Sequence, residues 1–417
     1  MKDQFSNSNR PITSIPINLI GLFSSLATLY LISVFGGHLN TVDAQILCLS
    51  ALVIPIALLE LLFLKTHRRR STGLDFSRNN KGWLGRTFLK IIGFYCTLAI
   101  IALAYWFLPE YSGSFYEKYY DFLLRCFPYL VIAAPFYIAV VDRIMIEPKD
   151  VMWQMGRVFF GEWSKLKSPA MSQYWLGWLV KAFFLPLMFV YMGDNLSSLR
   201  LSSYDDIFSS FTAFYDFCFL FLYYIDLLFV LVGYIFTLRV LDSHIRSTDP
   251  SLLGWAVAIS CYQPFWSFWS SYYIQYEDKT AWGFWFENFP LIYGVWGTLI
   301  LLMLFVYVWA SITFGLRFSN LTHRGILTHG PYRYVKHPAY LAKNISWWLI
   351  ALPFLSVVSW QDGLKHSLML LALNGIYYLR AITEERHLGK DTAYRIYQEQ
   401  ISRHGLFAKI WSNKLLK

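Results

Sequence analysis

The sequence predicts an all-α polytopic membrane protein, and three observations carry that prediction. Of 417 residues, 56% are hydrophobic and only 15% are charged, against about 25% charged in an ordinary soluble domain. The apolar residues gather into runs close to the roughly 20 residues needed to cross hydrocarbon. Between the runs, Lys and Arg fall alternately into rich and poor segments, the pattern expected of loops on opposite sides of a membrane. A water-soluble enzyme, a disordered chain and a fibrous protein are excluded together.

Eight long spans are expected, near 15–36, 44–64, 91–108, 122–141, 174–193, 211–238, 253–274 and 291–316, each an apolar run between polar flanks. The polar start MKDQFSNSNRPITS leads into the first run with no small-residue cleavage site and reads as a retained cytoplasmic tail. The loop KTHRRRSTGLDFSRNNKGWLGR after the second run is the strongest mark of the cytoplasmic side. WSSYYIQYEDKTAWGFWF, after the seventh, has the aromatic density of a headgroup-level belt. A shorter pair near 345–358 and 367–383, joined by QDGLKHS, reads as a tight helical hairpin. DTAYRIYQEQISRHGLFAKIW then reads as an amphipathic surface helix.

With both termini in the cytoplasm, 30 of the 36 basic residues lie inside and four outside, at Lys118, Arg200, Lys279 and Lys365. The net charge is then +18 inside, −7 outside and −1 within the spans, so the overall +10 reflects topology and attraction to an anionic inner leaflet. No nucleic-acid motif accompanies the basic clusters, so membrane lipids rather than nucleic acid are the expected partners. The expected location is a bacterial inner membrane. Cys48, Cys96, Cys126, Cys218 and Cys261 all sit in apolar stretches without a CxxC pair, so neither a disulfide framework nor a metal site is expected.

Charge inside a span is costly and marks a bundle interior or a wet cavity. Glu60 and Arg125, near the ends of their spans, are expected to snorkel to the interface. Asp216 and Asp226 are ten residues apart, roughly 80° off one helical face, and are expected to border one polar cavity if the chain is a transporter.

The densest polar constellation is LRFSNLTHRGILTHGPYRYVKHPAYLAKN, residues 316–344, followed beyond the hairpin by RAITEERHL, residues 380–388. Pro331 and Pro338 push their preceding residues out of the helical region, so GPYRYVKHP is expected to be irregular and rigid. A short hairpin returns the chain to the side it left, so the two polar segments are expected to meet at the inner surface.

Gly330, Pro331, Tyr332, Arg333, Tyr334, His337, Pro338 and Tyr340, then Arg380, Glu384 and Glu385, then Tyr394 and Tyr397, appear in an order and spacing that resembles the integral-membrane methyltransferases. That family includes isoprenylcysteine carboxyl methyltransferase and the phospholipid methyltransferases. The resemblance covers roughly residues 310–405. It departs from the family at Lys336, where arginine is usual, and at Ala342, where glycine is common. It divides the chain into a multi-span region, 1–285, of unassigned role and a methyltransferase-like domain, 286–417.

What the resemblance implies is transfer of a methyl group from S-adenosylmethionine to an amphiphilic, lipid-like acceptor, a carboxylate or an amine, at the cytoplasmic face. It implies a cofactor site of Tyr332, His337, Pro338, Tyr340, Leu341, Glu384 and Glu385, with Arg380 and Arg333 as the groups that orient the acceptor. Sterol reductases of related membrane fold share the His-Pro-x-Tyr but bind NADPH and typically lack the paired glutamates.

Overall fold

In the computed structural model, residues 12–202, 205–276 and 280–408 are described. Most of the tail, the expected outer Lys279 and the last residues of the surface-helix segment therefore lie outside the described residues. The expected all-α polytopic architecture is present. Seven helices among the described residues are long and apolar enough to cross a membrane.

In chain order, α1 is Ile15–Phe35 and α2 is Thr41–Leu59, prolonged by a π-turn over Glu60–Leu64. Then come α3 (Trp83–Phe107), α4 (Glu117–Ile144), the short α5 (Val151–Val158), α6 (Pro169–Leu201) and α7 (Phe211–Ile235). Side-chain oxygens of Asn40, Ser168 and Ser210 accept hydrogen bonds from the first-turn amides of α2, α6 and α7, which satisfies donors that a helix start leaves orphaned. The main apolar core lies among α1, α2, α6, α7 and the later α11 (Pro290–Phe314), with Leu52, Ile56, Phe184, Leu228 and Phe229 sealed from the exterior.

The expected seventh span, 253–274, is not one helix. It is broken into α8 (Leu252–Ile259) and α9 (Phe265–Tyr272). Pro264, which has no amide hydrogen to continue a helical ladder, stands at the start of α9, whereas Pro55, Pro128, Pro135 and Pro186 are accommodated inside unbroken helices. The broken segment still carries the chain from one end of the bundle to the other. At its start, Asp249 N donates to Leu321 O, and β1 (Ser247–Thr248) pairs antiparallel with β2 (Thr322–His323). Beyond its end, Trp282 of α10 (Trp282–Phe286) packs on Tyr215 of α7 and Tyr293 of α11 (Pro290–Phe314), with ring centroids 4.9 and 4.5 Å apart.

The hairpin forms, but QDGLKHS does not join it: α12 is Pro338–Ala351, residues 352–359 make the connection, and α13 (Trp360–Leu388) takes up QDGLKHS in its first turns, where Ser359 caps the helix by accepting from Asp362 N. α12 runs back along α11, and Trp296 Nε1 donates to Leu349 O across 2.8 Å. α13 then returns along α12, where Trp348 Nε1 donates to Asn374 Oδ1 and Asn374 Nδ2 to Asn344 Oδ1. The chain therefore ends α13 at the same end of the bundle where it began α12. The surface helix is α14, Thr392–His404, and its Tyr394 and Tyr397 are buried against Tyr332 and Leu327.

Charged residues within the apolar helices divide. Arg125, with its side chain 36% exposed, is paired with Asp43 and Asp121. Glu60 does not snorkel: it is 0% exposed and receives both arms of the Arg317 guanidinium, at 2.7 and 3.0 Å. The bidentate fork gives the carboxylate a fixed counter-charge that water would otherwise supply.

Candidate functional site

One cavity of about 970 Å³, counting its mouth, lies where the polar segments meet. Its position follows from local sequence. Gly330 takes a positive φ of 60°, open to glycine, as the first residue of a 3-10 turn over Gly330–Arg333, and Pro338 leaves His337 at φ −127° before starting α12. His337 thus projects from a bend at the helix mouth, and Tyr340, three residues on, lies on the same side. The two rings are parallel at 1°, with centroids 5.4 Å apart. Arg380 and Glu384 are one turn apart on the last part of α13 and face them.

The paired glutamates have different surroundings. Glu385 is saturated: Lys336 Nζ donates to Oε2 at 2.7 Å, Gln398 Nε2 to the same oxygen at 2.9 Å, and His337 Nε2 lies 3.0 Å from Oε1. Burial raises this carboxyl, but the hydrogen bonds and charges of His337 and Lys336 outweigh burial and hold it at about 2. Its side chain is 21% exposed and does not line the cavity. Glu384 is 40% exposed and does line it. Tyr340 Oη donates to Glu384 Oε2 at 3.0 Å, and no donor among the described residues reaches Oε1.

Arg380 is only 6% exposed, yet no carboxylate pairs with it among the described residues. Its guanidinium lies 5.0 Å from the Tyr340 and Tyr377 ring centres and 5.9 Å from that of Tyr262. One arm, Nη2, donates to Asn320 Oδ1 at 3.1 Å. Lys343 is a second cation on the wall without an acid partner among the described residues, placed over the rings of Tyr307, Trp347 and Tyr377. Isolated buried cations are expensive, so aromatic faces and an amide offset part of the cost and leave the pair able to take an anion.

Of the sequence-derived site residues, Tyr332, His337, Tyr340, Arg380 and Glu384 line the cavity. Glu385 stands behind His337. Pro338 is the buried first residue of α12, while Leu341 and Arg333 face outward. The expected shared cavity of Asp216 and Asp226 is absent. Asp226 is buried between α7 and α11, where it accepts hydrogen bonds from Tyr307 and Ser311. Asp216 sits in a separate shallow concavity near the start of α7, with Ser202 and Asp206.

Sequence reasoning missed a whole wall. Asp249, Gly254, Ala258 and Tyr262 come from the broken seventh crossing, and Asn320 and Thr322 from the loop after α11. The cavity is thus built from both sides of the 285/286 boundary. His387 also lines it, with Nε2 3.2 Å from Ser247 Oγ; burial lowers this imidazole, partly offset by the Asp249 charge. Pro264 inside the apolar run was the one sequence signal for the break. Asn320 lay within the polar constellation but matched no motif position.

Residues 287–401 match a family profile described as a protein of unknown function, DUF1295, a membrane-associated family related to steroid reductase and methyltransferase-like proteins. No curated protein and no solved structure matches the chain.

Proposed function

We propose that the protein is an integral-membrane methyltransferase that transfers a methyl group from S-adenosylmethionine to an amphiphilic, lipid-like carboxylate or amine, with its site at the cytoplasmic face of an inner membrane. The observation that carries this reading is the convergence of His337 and Tyr340 with Arg380 and Glu384 on one cavity. The residues fit the cofactor in kind. The unclaimed Oε1 of Glu384 is an acceptor for an ammonium or a ribose hydroxyl, and the parallel His337 and Tyr340 rings offer a flat wall.

When bound, S-adenosylmethionine supplies an electrophilic methyl group on a sulfonium. The chain's own work is positioning and exclusion of water, which matter most in a displacement that needs little proton transfer. Tyr340 fixes the Glu384 carboxylate by its hydroxyl, and Glu385 fixes His337 through its ring nitrogen. Arg380 orients a carboxylate or phosphate on the acceptor. Tyr307, Phe314 and Phe318 supply apolar lining that strips water from the nucleophile.

The test is a titration of purified protein in detergent with S-adenosylmethionine, with His337→Ala and Glu384→Gln as controls. Saturable binding to wild type, weakened in both variants, is the expected outcome. Its absence from folded wild-type protein refutes the reading. A reductase-like reading draws on Arg380 and Lys343, a cation pair suited to a phosphate, so NADPH is titrated in parallel. The acidic Asp249 and Glu384 on the same cavity oppose that polyanion.

A further inference from the structure

The N-terminal spans have no role in the resemblance, yet besides the broken seventh crossing that lines the cavity, α7 touches its wall through Asn320. Tyr234 is the penultimate residue of α7 and is 1% exposed. Its phenol oxygen receives two hydrogen bonds from Asn320, from the backbone N–H at 3.1 Å and from Nδ2 at 2.9 Å. Asn320 Nδ2 also lies 3.2 Å from Tyr262 Oη, while Asn320 Oδ1 faces Arg380 Nη2. A guanidinium only donates, so the amide must present its oxygen to Arg380 and its nitrogen to the two phenols. Turning the amide would set its NH2 against the donor-only guanidinium, so the Arg380 contact fixes its orientation.

The remaining N–H groups of Arg380 make no hydrogen bond to a described residue, and none of them is sealed from the cavity as an orphaned buried donor. One arm is thus tethered while the rest of the fork faces open space. We infer that Tyr234 and Asn320 are positioning residues that aim the free face of the Arg380 guanidinium at an anionic headgroup, so that α7, a helix outside the methyltransferase-like segment, sets acceptor geometry. The inference rests on the reading of Arg380 as the acceptor-orienting group, but not on methyl transfer.

Two backbone features hold the same loop. Arg324 donates to the carbonyls of Gly233, Phe236 and Ser243 as well as to Phe318 and Leu316. Gly233 lets α7 press on Phe318, whose carbonyl oxygen would lie 2.2 Å from a Cβ at position 233. The end of α7 and the loop 316–324 therefore move as one piece, and the Tyr234 hydroxyl is the contact that continues from that piece into the cavity.

The experiment titrates full-length protein in detergent with oleate, an amphiphilic carboxylate, and separately with S-adenosylmethionine. Tyr234→Phe is expected to weaken oleate binding roughly fivefold to tenfold, the size of one or two lost buried hydrogen bonds, while changing S-adenosylmethionine affinity by less than about twofold. The isosteric Asn320→Asp gives Arg380 a resident carboxylate and is expected to abolish oleate binding; if Tyr234→Phe fails to fold, this variant decides. The loss in Tyr234→Phe/Asn320→Ala is expected to be smaller than the product of the two single losses. Unchanged oleate affinity in Tyr234→Phe, retained oleate binding in Asn320→Asp, equal losses of both ligands, or no oleate binding by wild type each overturn the inference. Oleate binding by a wild type that ignores S-adenosylmethionine leaves the inference standing and removes the methyl-transfer reading instead.

Discussion

Two adjacent carboxylates illustrate how environment divides work between like residues. Glu385 accepts from three side chains and is held at about 2, whereas Glu384 keeps one oxygen free toward the cavity. Glu385→Gln is expected to lower stability by about 1–2 kcal/mol and to loosen His337. Glu384→Gln is expected to leave stability within about 0.5 kcal/mol while weakening S-adenosylmethionine binding about tenfold. Thermal unfolding and cofactor titration of the two variants check both statements. The pH dependence has a definite sign. Folding depresses the Glu385 carboxyl from 4.5 to about 2, so its stabilisation is complete above pH 4.5 and is lost as the pH falls toward 2. The stability difference between wild type and Glu385→Gln is therefore expected to be flat from pH 5 to 7 and to close below pH 4.5, as read by unfolding at each pH.

Among the elements, the close approach of α7 to the loop after α11 is the tightest constraint on the site. Gly233→Ala places a methyl group against backbone, the Phe318 carbonyl, rather than against a side chain that can turn away. A cost of about 1–3 kcal/mol is expected, with a parallel loss of ligand affinity because Phe318 and Asn320 line the cavity; unfolding and cofactor titration on one preparation measure both. The elements also show what could be read from sequence. His337, Tyr340, Arg380 and Glu384 were legible because polar residues in an apolar chain stand out and their order is distinctive. The broken crossing was not, since two short helices joined by a turn have the composition of one span, and only Pro264 marks the difference. Asn320 and Tyr234 were illegible for another reason: their roles arise from a contact between positions 86 residues apart that no periodicity encodes.

Across the whole molecule, the spans followed from composition, the broken seventh excepted, while the pairing of distant charges did not. Glu60, expected at an interface, is locked to Arg317, the residue that leads into the cavity's floor. Arg317 also donates to the carbonyls of Leu241 and Asp242, so one guanidinium joins three parts of the chain. Glu60→Gln is expected to cost about 3–5 kcal/mol by leaving Arg317 buried without its counter-ion. Glu60→Met combined with Arg317→Met is expected to recover part of that loss. A thermal double-mutant cycle measures the coupling, and additive losses would refute it.

The Glu60–Arg317 pair also has a meaning in time. The two residues are 257 positions apart, and at about 5–20 residues per second synthesis leaves the carboxylate waiting roughly 13 to 50 seconds for its partner. During that interval the chain has the Arg69 guanidinium, which senses the Glu60 charge, but lacks the buried fork that grips both carboxylate oxygens. A message cut short before codon 317 never supplies that fork, so a truncated product is expected to be less stable in the membrane than the full chain, which a pulse-chase comparison of chains ending before and after residue 317 checks.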